Sequence, residues 1–300
     1  MYLTLVQLHF TVTLLALLAA LVVRIVTHRR PRPSVRGALR AWTIVGALVI
    51  IVATVAAHLV WVRPMSGSWV TDGLLHYAVP LGAGVVAVLF LALPLGRWRP
   101  RGTATLARRT LTSFTKGWWL AAMVLVAGVI AIVSVLAGRA SMPDEQGLYR
   151  YYQVDFGPNA VGTTIYGWYY SVPSLVVLGV LVVVTFVALK LVARPSLRED
   201  GAEDAAVRRF RSRNIVAVSV GAMLLLGSLA GTAYMHGAAT VGRDVYTAEA
   251  PFAILRTPML VTAHVADFVA WFLLFSVLLA ALWPGVARST RKLSWQSASR

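Results

Sequence analysis

The chain has no cysteine, which excludes disulfides, thiolate metal sites, iron–sulfur clusters and covalent c-type haem attachment. Any metal or haem would have to be held by histidine, methionine or carboxylate. Lysine is nearly as scarce, with only three among the 28 basic residues. None lies between residues 257 and 284, where a seven-helix retinal protein needs its Schiff-base lysine. Acids are few as well, 11 in all, and Asp267 alone falls inside an apolar stretch. An intramembrane aspartyl protease, which needs two, is thereby excluded. No Gly-x-Ser-x-Gly, His-Glu-x-x-His or P-loop pattern occurs. The expectation is a protein without a catalytic domain of its own, and no catalytic residue is assigned.

Apolar residues make up 58% of the chain and charged ones only 13%, proportions outside the range of soluble domains. Crossing a hydrocarbon core about 30 Å thick takes roughly 20 apolar residues. Seven stretches qualify: 3–26, 41–62, 76–96, 117–137, 171–193, 214–235 and 258–283. The first has no basic segment before it and no small-residue cleavage site after it, so it reads as a retained span rather than a signal peptide. The expected fold is an all-α integral membrane bundle of seven helices, a single domain over residues 1–287 with a basic tail at 288–300.

The net charge of +17 would suggest nucleic acid in a soluble protein. Here alternate connections sort it by side. Residues 24–40, 97–116, 190–213 and 288–300 hold 23 basic residues, and the other side holds five, Arg63, Arg139, Arg150, Arg243 and Arg256. The positive-inside rule then places the N-terminus outside and the C-terminus in the cytoplasm. The charge is a topology signal that also attracts anionic lipid, and the expected partner is the bilayer, not nucleic acid. The bias toward arginine, alanine and valine suggests a GC-rich bacterial genome.

The segment 194–213 reads as a solvated connector, with a short surface helix leading into the sixth span as the other reading. The segment 138–170 is the largest outer element. It carries Tyr149, Tyr151, Tyr152, Phe156, Tyr166, Trp168, Tyr169 and Tyr170, rings that favour the headgroup level, and it reads as an aromatic cap on the outer surface. Tyr77-Ala-Val-Pro80 and Tyr170-Ser-Val-Pro173 open the third and fifth spans, and Thr257-Pro258 opens the seventh. Proline costs little in the first turn of a helix. The shared pattern suggests a lone first helix followed by three similar hairpins. Chance collection of proline and aromatics at helix starts explains it equally well. In the sixth span, Gly227 and Gly231 form a small-xxx-small pattern that lets helices approach closely.

With this orientation, five of the six histidines fall in the outer half, His28 being the exception. His58, His76 and His236, near span ends, read as interfacial residues. His9 and His264 lie about 9 Å into the first and seventh spans, and Asp267 lies about 14 Å in. An acid at that depth costs at least ~2.5 kcal/mol to insert, so it faces the bundle interior or a cavity. His264 and Asp267, at i and i+3, share a helix face. His9 is the third candidate, with Thr13 one turn further on its face.

Two chemistries suit His9, His264 and Asp267. The carboxylate and imidazoles can relay a proton or hold a cation in a transport cycle. Alternatively, the imidazoles bind a transition metal or b-type haem iron, with Asp267 as ligand or orienter. The leading expectation is a bacterial plasma-membrane protein, transport-related or a subunit of a membrane complex, with an outward-facing polar cavity and no cofactor. Its energy would come from an ion gradient or a separate ATPase subunit. The alternative is a haem- or copper-binding membrane protein. A lipid-modifying or glycosyl-transfer enzyme using Asp267 as base is a third reading. The outer acids Asp72, Asp144, Glu145, Asp155, Asp244 and Glu249 form no motif that supports it.

Overall fold

The computed structural model of the chain describes residues 2–27, 37–62, 69–93, 114–156, 159–193, 201–244 and 251–283. The tail at 288–300, the connections at 28–36, 94–113 and 194–200, His28 and Glu249 lie outside the described residues, as do the side chains of His236, Asp72 and Asp244.

Seven helices carry the described chain: α1 (Tyr2–Val26), α2 (Gly37–Val62), α3 (Trp69–Ala92), α4 (Gly117–Ala140), α5 (Trp168–Val192), α6 (Gly201–Asp244) and α7 (Pro251–Leu282). Six of them contain a stretch long and apolar enough to cross a membrane, and α3 contains a shorter apolar one, His76–Ala92. The outward faces are oily. On α1, Phe10, Leu14, Leu18, Val22 and Ile25 recur at helical spacing and are each about half exposed or more, as expected of a helix whose solvent on that side is lipid. The opposite face of α1 carries His9, Thr13, Ala16, Ala20 and Arg24 toward the bundle, with Ala16, Ala20 and Arg24 buried.

At the centre, α6 packs against α3, α4, α5 and α7. Small residues allow the close approaches. A Cβ on Gly84 of α3 would meet the Ala222 Cβ of α6 at 2.7 Å, and one on Gly231 of α6 would meet that of Ala263 on α7 at 3.0 Å. Ser219 of α6 and Thr185 of α5 share a buried hydrogen bond of 2.7 Å, a polar link of the kind that joins helices in lipid.

Several element boundaries differ from the hydropathy reading. Because α3 begins at Trp69, Pro80 is inside the helix, and Pro173 likewise lies inside α5. Hydropathy measures the length that lipid covers, whereas a helix continues past the hydrocarbon edge wherever its backbone can still close i→i−4 bonds. α6 shows this most clearly. Its 44 residues reach about 66 Å at 1.5 Å per residue, and most of the expected connector 194–213 is its first turns. Those turns are packed rather than simply solvated, since Leu39 and Val207 are buried together with Phe210 against them.

The segment between α4 and α5 forms a three-stranded antiparallel sheet, β1 (Met142–Pro143), β2 (Tyr149–Phe156) and β3 (Asn159–Thr164), in the order β1-β2-β3. Tyr151 pairs with Thr164, and Phe156 with Asn159. Gly147, at φ +75°, turns the chain between β1 and β2, a conformation that favours glycine. Ser141 ties α4 to α5, because its Oγ donates to the Gly138 carbonyl at 2.6 Å and accepts from the Trp168 N–H at 3.3 Å.

At the other end of the bundle, arginines at the starts of two helices cap the last carbonyls of three others. Arg40 of α2 donates to Leu282 O of α7 at 3.3 Å, and Arg208 of α6 donates to Val192 O of α5. Arg211 of α6 donates to Leu91 O at 2.9 Å and Leu93 O at 2.6 Å at the end of α3. A cation there satisfies orphan carbonyls and complements the negative end of the helix dipole.

Candidate functional site

Asp267, on the inward face of α7, is 2% exposed. Its partner is His9 of α1, whose Nδ1 lies 2.8 Å from Asp267 Oδ2. α1 and α7 pack side by side, so an acid inside one helix and an imidazole inside the other meet across their seam. Opposite a carboxylate, Nδ1 carries the proton, leaving Nε2 of His9 as the acceptor. Thr13 Oγ donates to the His9 carbonyl at 2.9 Å, as one-turn spacing allows.

From His9 the site runs on through rings. His58 of α2 stacks on His9 with centroids 4.4 Å apart and planes within 12°. His76 of α3 meets His58 edge-on at 5.0 Å, and Tyr77 meets His76 at 5.4 Å. Tyr77 in turn lies 4.7 Å from Tyr166 and 5.2 Å from Tyr170. His58 Nδ1 donates to the Thr54 carbonyl at 2.8 Å, which fixes its tautomer as the Asp267 pair fixes that of His9. Two further atoms are buried without a hydrogen-bond partner, Asp267 Oδ1 and Trp271 Nε1. They belong to side chains one turn apart on α7, and Trp271 stands 6.2 Å from the His9 ring.

The track ends at the sheet. Arg150 of β2 donates from Nη1 to the Tyr170 hydroxyl at 3.3 Å and from Nε to Asp144 Oδ2 at 2.5 Å. Asp144 Oδ1 accepts the Gln146 and Leu148 N–H groups at 2.8 and 2.9 Å. Desolvation works to raise the Asp144 carboxyl, but the bonds from Arg150 and these two N–H groups outweigh it and hold the carboxyl below its ordinary value. For Arg150, desolvation is likewise outweighed, by Tyr170 and Asp144, and its value is raised.

The structure therefore joins two of the three expected site residues, Asp267 and His9. His264, one turn before Asp267 on α7, is half-buried, and the ring track runs from His9 rather than from it. His58 and His76, read as interfacial from their depth, are instead the next members of the track. Tyr166 and Tyr170, expected in a surface cap, are buried. The sequence does carry one signal for His58 and His76, since His9, His58 and His76 lie near facing ends of three consecutive expected spans. No group of three or more His, Asp or Glu side chains placed to hold a metal ion is found among the described residues. Stacked imidazoles turn their faces to one another, and their in-plane lone pairs do not converge on one point. No protein-family model, curated protein or solved structure matches this chain.

Proposed function

We propose that this chain is a seven-span bacterial plasma-membrane protein that works in proton-linked transport, alone or as the membrane subunit of a complex. In this reading the N-terminus and the sheet lie outside, and the C-terminus lies in the cytoplasm. α3 spans in company with its neighbours despite its shorter apolar stretch. The arginine-rich end then faces the cytoplasm, in keeping with the positive-inside bias. The observation that carries the proposal is the buried Asp267–His9 pair, continued by His58 and His76 toward the outer tyrosines. Once a proton arrives at His9 Nε2, the imidazolium–carboxylate pair and the neutral imidazole–carboxylic acid pair interconvert by one proton shift, with no net charge left in a low-dielectric interior. Structural acids in spans need only one fixed partner, whereas a series of titratable rings leading outward provides a route. Water between the rings would complete the hydrogen bonds that stacking does not make.

Protein in liposomes carrying a pH-sensitive dye, driven by a potassium diffusion potential, tests this reading. Wild type is expected to move protons, and Asp267→Asn and His58→Phe are expected to reduce the flux about a hundredfold or more, the scale of a lost proton-transfer group. Equal flux in all three contradicts it. A visible spectrum and metal analysis of the same preparations address the haem or copper alternative. A haem band or stoichiometric copper lost in His9→Ala would replace the proton reading.

A further inference from the structure

The bundle holds a second polar concentration, toward the other ends of α1 and α7 from the Asp267–His9 pair. A cavity of about 420 Å³ lies among the last turns of α1, the start of α4, the first half of α6 and the last third of α7. Its walls are largely apolar, with Ala20 and Val23 of α1, Trp119 of α4, and Phe272 and Leu273 of α7. Three arginines, Arg24, Arg209 and Arg213, line it together with Asn214, and no acidic residue does among the described residues.

Arg24 is the unusual member. It is only 4% exposed, and its Nε, Nη1 and Nη2 are all buried without a hydrogen-bond partner. Asn214, 3% exposed, has an unpartnered Nδ2. Four groups thus bring donors to one apolar cleft, and two of them have no acceptor among the described residues. A buried guanidinium stays charged, and leaving it unpaired is costly. Arg40, Arg208 and Arg211 at the same end each reach a main-chain carbonyl, so the lack at Arg24 is not shared by its neighbours.

A buried cation is neutralised only by an anion, and a phosphate matches a guanidinium through paired hydrogen bonds. The apolar walls favour a phosphate that brings hydrocarbon with it. α1 packs on α7, α7 on α6 and α6 on α4, which leaves the side between α1 and α4 as the way in. Both of those helices expose large apolar side chains, among them Leu18, Val22, Trp118 and Leu125. We propose that this cavity binds the headgroup phosphate of an anionic phospholipid, clamped by Arg24, Arg209 and Arg213, with its acyl chains leaving between α1 and α4.

Detergent-purified protein exchanged into mixed micelles with phosphatidylglycerol or phosphatidylcholine, and read by native mass spectrometry, tests the site. Wild type is expected to retain one phosphatidylglycerol in preference to phosphatidylcholine. Arg24→Gln should weaken that retention about tenfold or more, the loss of one charge-assisted pair. Arg209→Gln and Arg213→Gln, at exposed positions, should weaken it in the same direction. Arg40→Gln, which removes the same charge outside the cavity, should leave it unchanged. Arg24→Met should also raise the melting temperature of lipid-free protein, because an unpaired buried charge is gone. Equal retention of the two lipids, or unchanged phosphatidylglycerol binding in folded Arg24→Gln, overturns the proposal. Displacement of the lipid by millimolar inorganic phosphate, with the same Arg24 dependence, overturns the lipid assignment in favour of a free-anion site.

Discussion

The histidine end and the arginine end of the bundle bury charge in opposite ways. At the first, Asp267 is matched by His9 at 2.8 Å, and either partner can change its charge by moving a proton. At the second, Arg40, Arg208 and Arg211 are matched by carbonyls at helix ends, and a main-chain carbonyl takes up no proton from its partner. The difference separates two uses of polarity in an apolar bundle. A fixed cation on a fixed dipole holds helices in register, whereas an acid on an imidazole can cycle. In the proposed reading, the arginine end accordingly serves architecture and lipid contact, and the histidine end proton movement.

His9→Ala should break that comparison most severely. It leaves the Asp267 carboxylate buried without its partner, for an expected loss of roughly 3–5 kcal/mol, measurable by unfolding in detergent. Adding Asp267→Asn to His9→Ala should recover much of it, because the uncompensated acid is removed. If the double variant is no more stable than the single, the pair carries no special coupling.

Arg211→Ala comes next. It takes the donor from two carbonyls at the close of α3, of which only the contact with Leu91 is part-buried, and a hydrogen bond to a charged group is worth about 1.5–3 kcal/mol, so a loss of about that size is expected in the same assay. Arg40→Ala sharpens the contrast within the arginine end. Its single bond to Leu282 is exposed and 3.3 Å long, and a change below about 1 kcal/mol is expected. Similar effects for the two would mean that capping geometry does not matter there.

The smallest effect belongs to the sheet. The Asp144 carboxyl is held below 3.8, its ordinary value. Its contribution is therefore fully present above that pH and is lost as pH falls through the lowered folded value. Wild type and Asp144→Asn should differ at neutral pH and converge in strong acid, as followed by thermal melting across pH. A gap that persists unchanged in acid would show that the loop bonds to Gln146 and Leu148, not the carboxylate charge, matter.

How much of this was legible in the sequence follows from what each signal measures. Asp267 stood out because an acid in an apolar run is costly wherever the helix faces, and His9 followed from equal depth. His58 and His76 did not stand out, because depth along a helix says nothing about rotation or about which neighbour lies across the seam. The helices were legible from hydropathy, but their ends were not, as α6 and the interior position of Pro80 show. The sheet was missed although its signals were present. Tyr149–Phe156 is rich in aromatics, Gly157-Pro158 follows, and Val161 and Thr163 alternate beyond, which together are hairpin signs. The same tyrosines also fit an interfacial belt, and that reading absorbed them. The Arg24 cavity could not be read at all, since the 23 basic residues of the alternate connections hide one that is buried without a partner.

The most direct test of the central claim is infrared difference spectroscopy of wild type and Asp267→Asn in liposomes as the external pH is stepped. The account predicts a carboxyl carbonyl band that titrates in wild type, is absent in Asp267→Asn, and responds more slowly to the external step in His58→Phe. A set of carboxyl bands identical in wild type and Asp267→Asn, throughout the pH range where the protein stays folded, would contradict it and leave the Asp267–His9 pair as a structural link between α1 and α7.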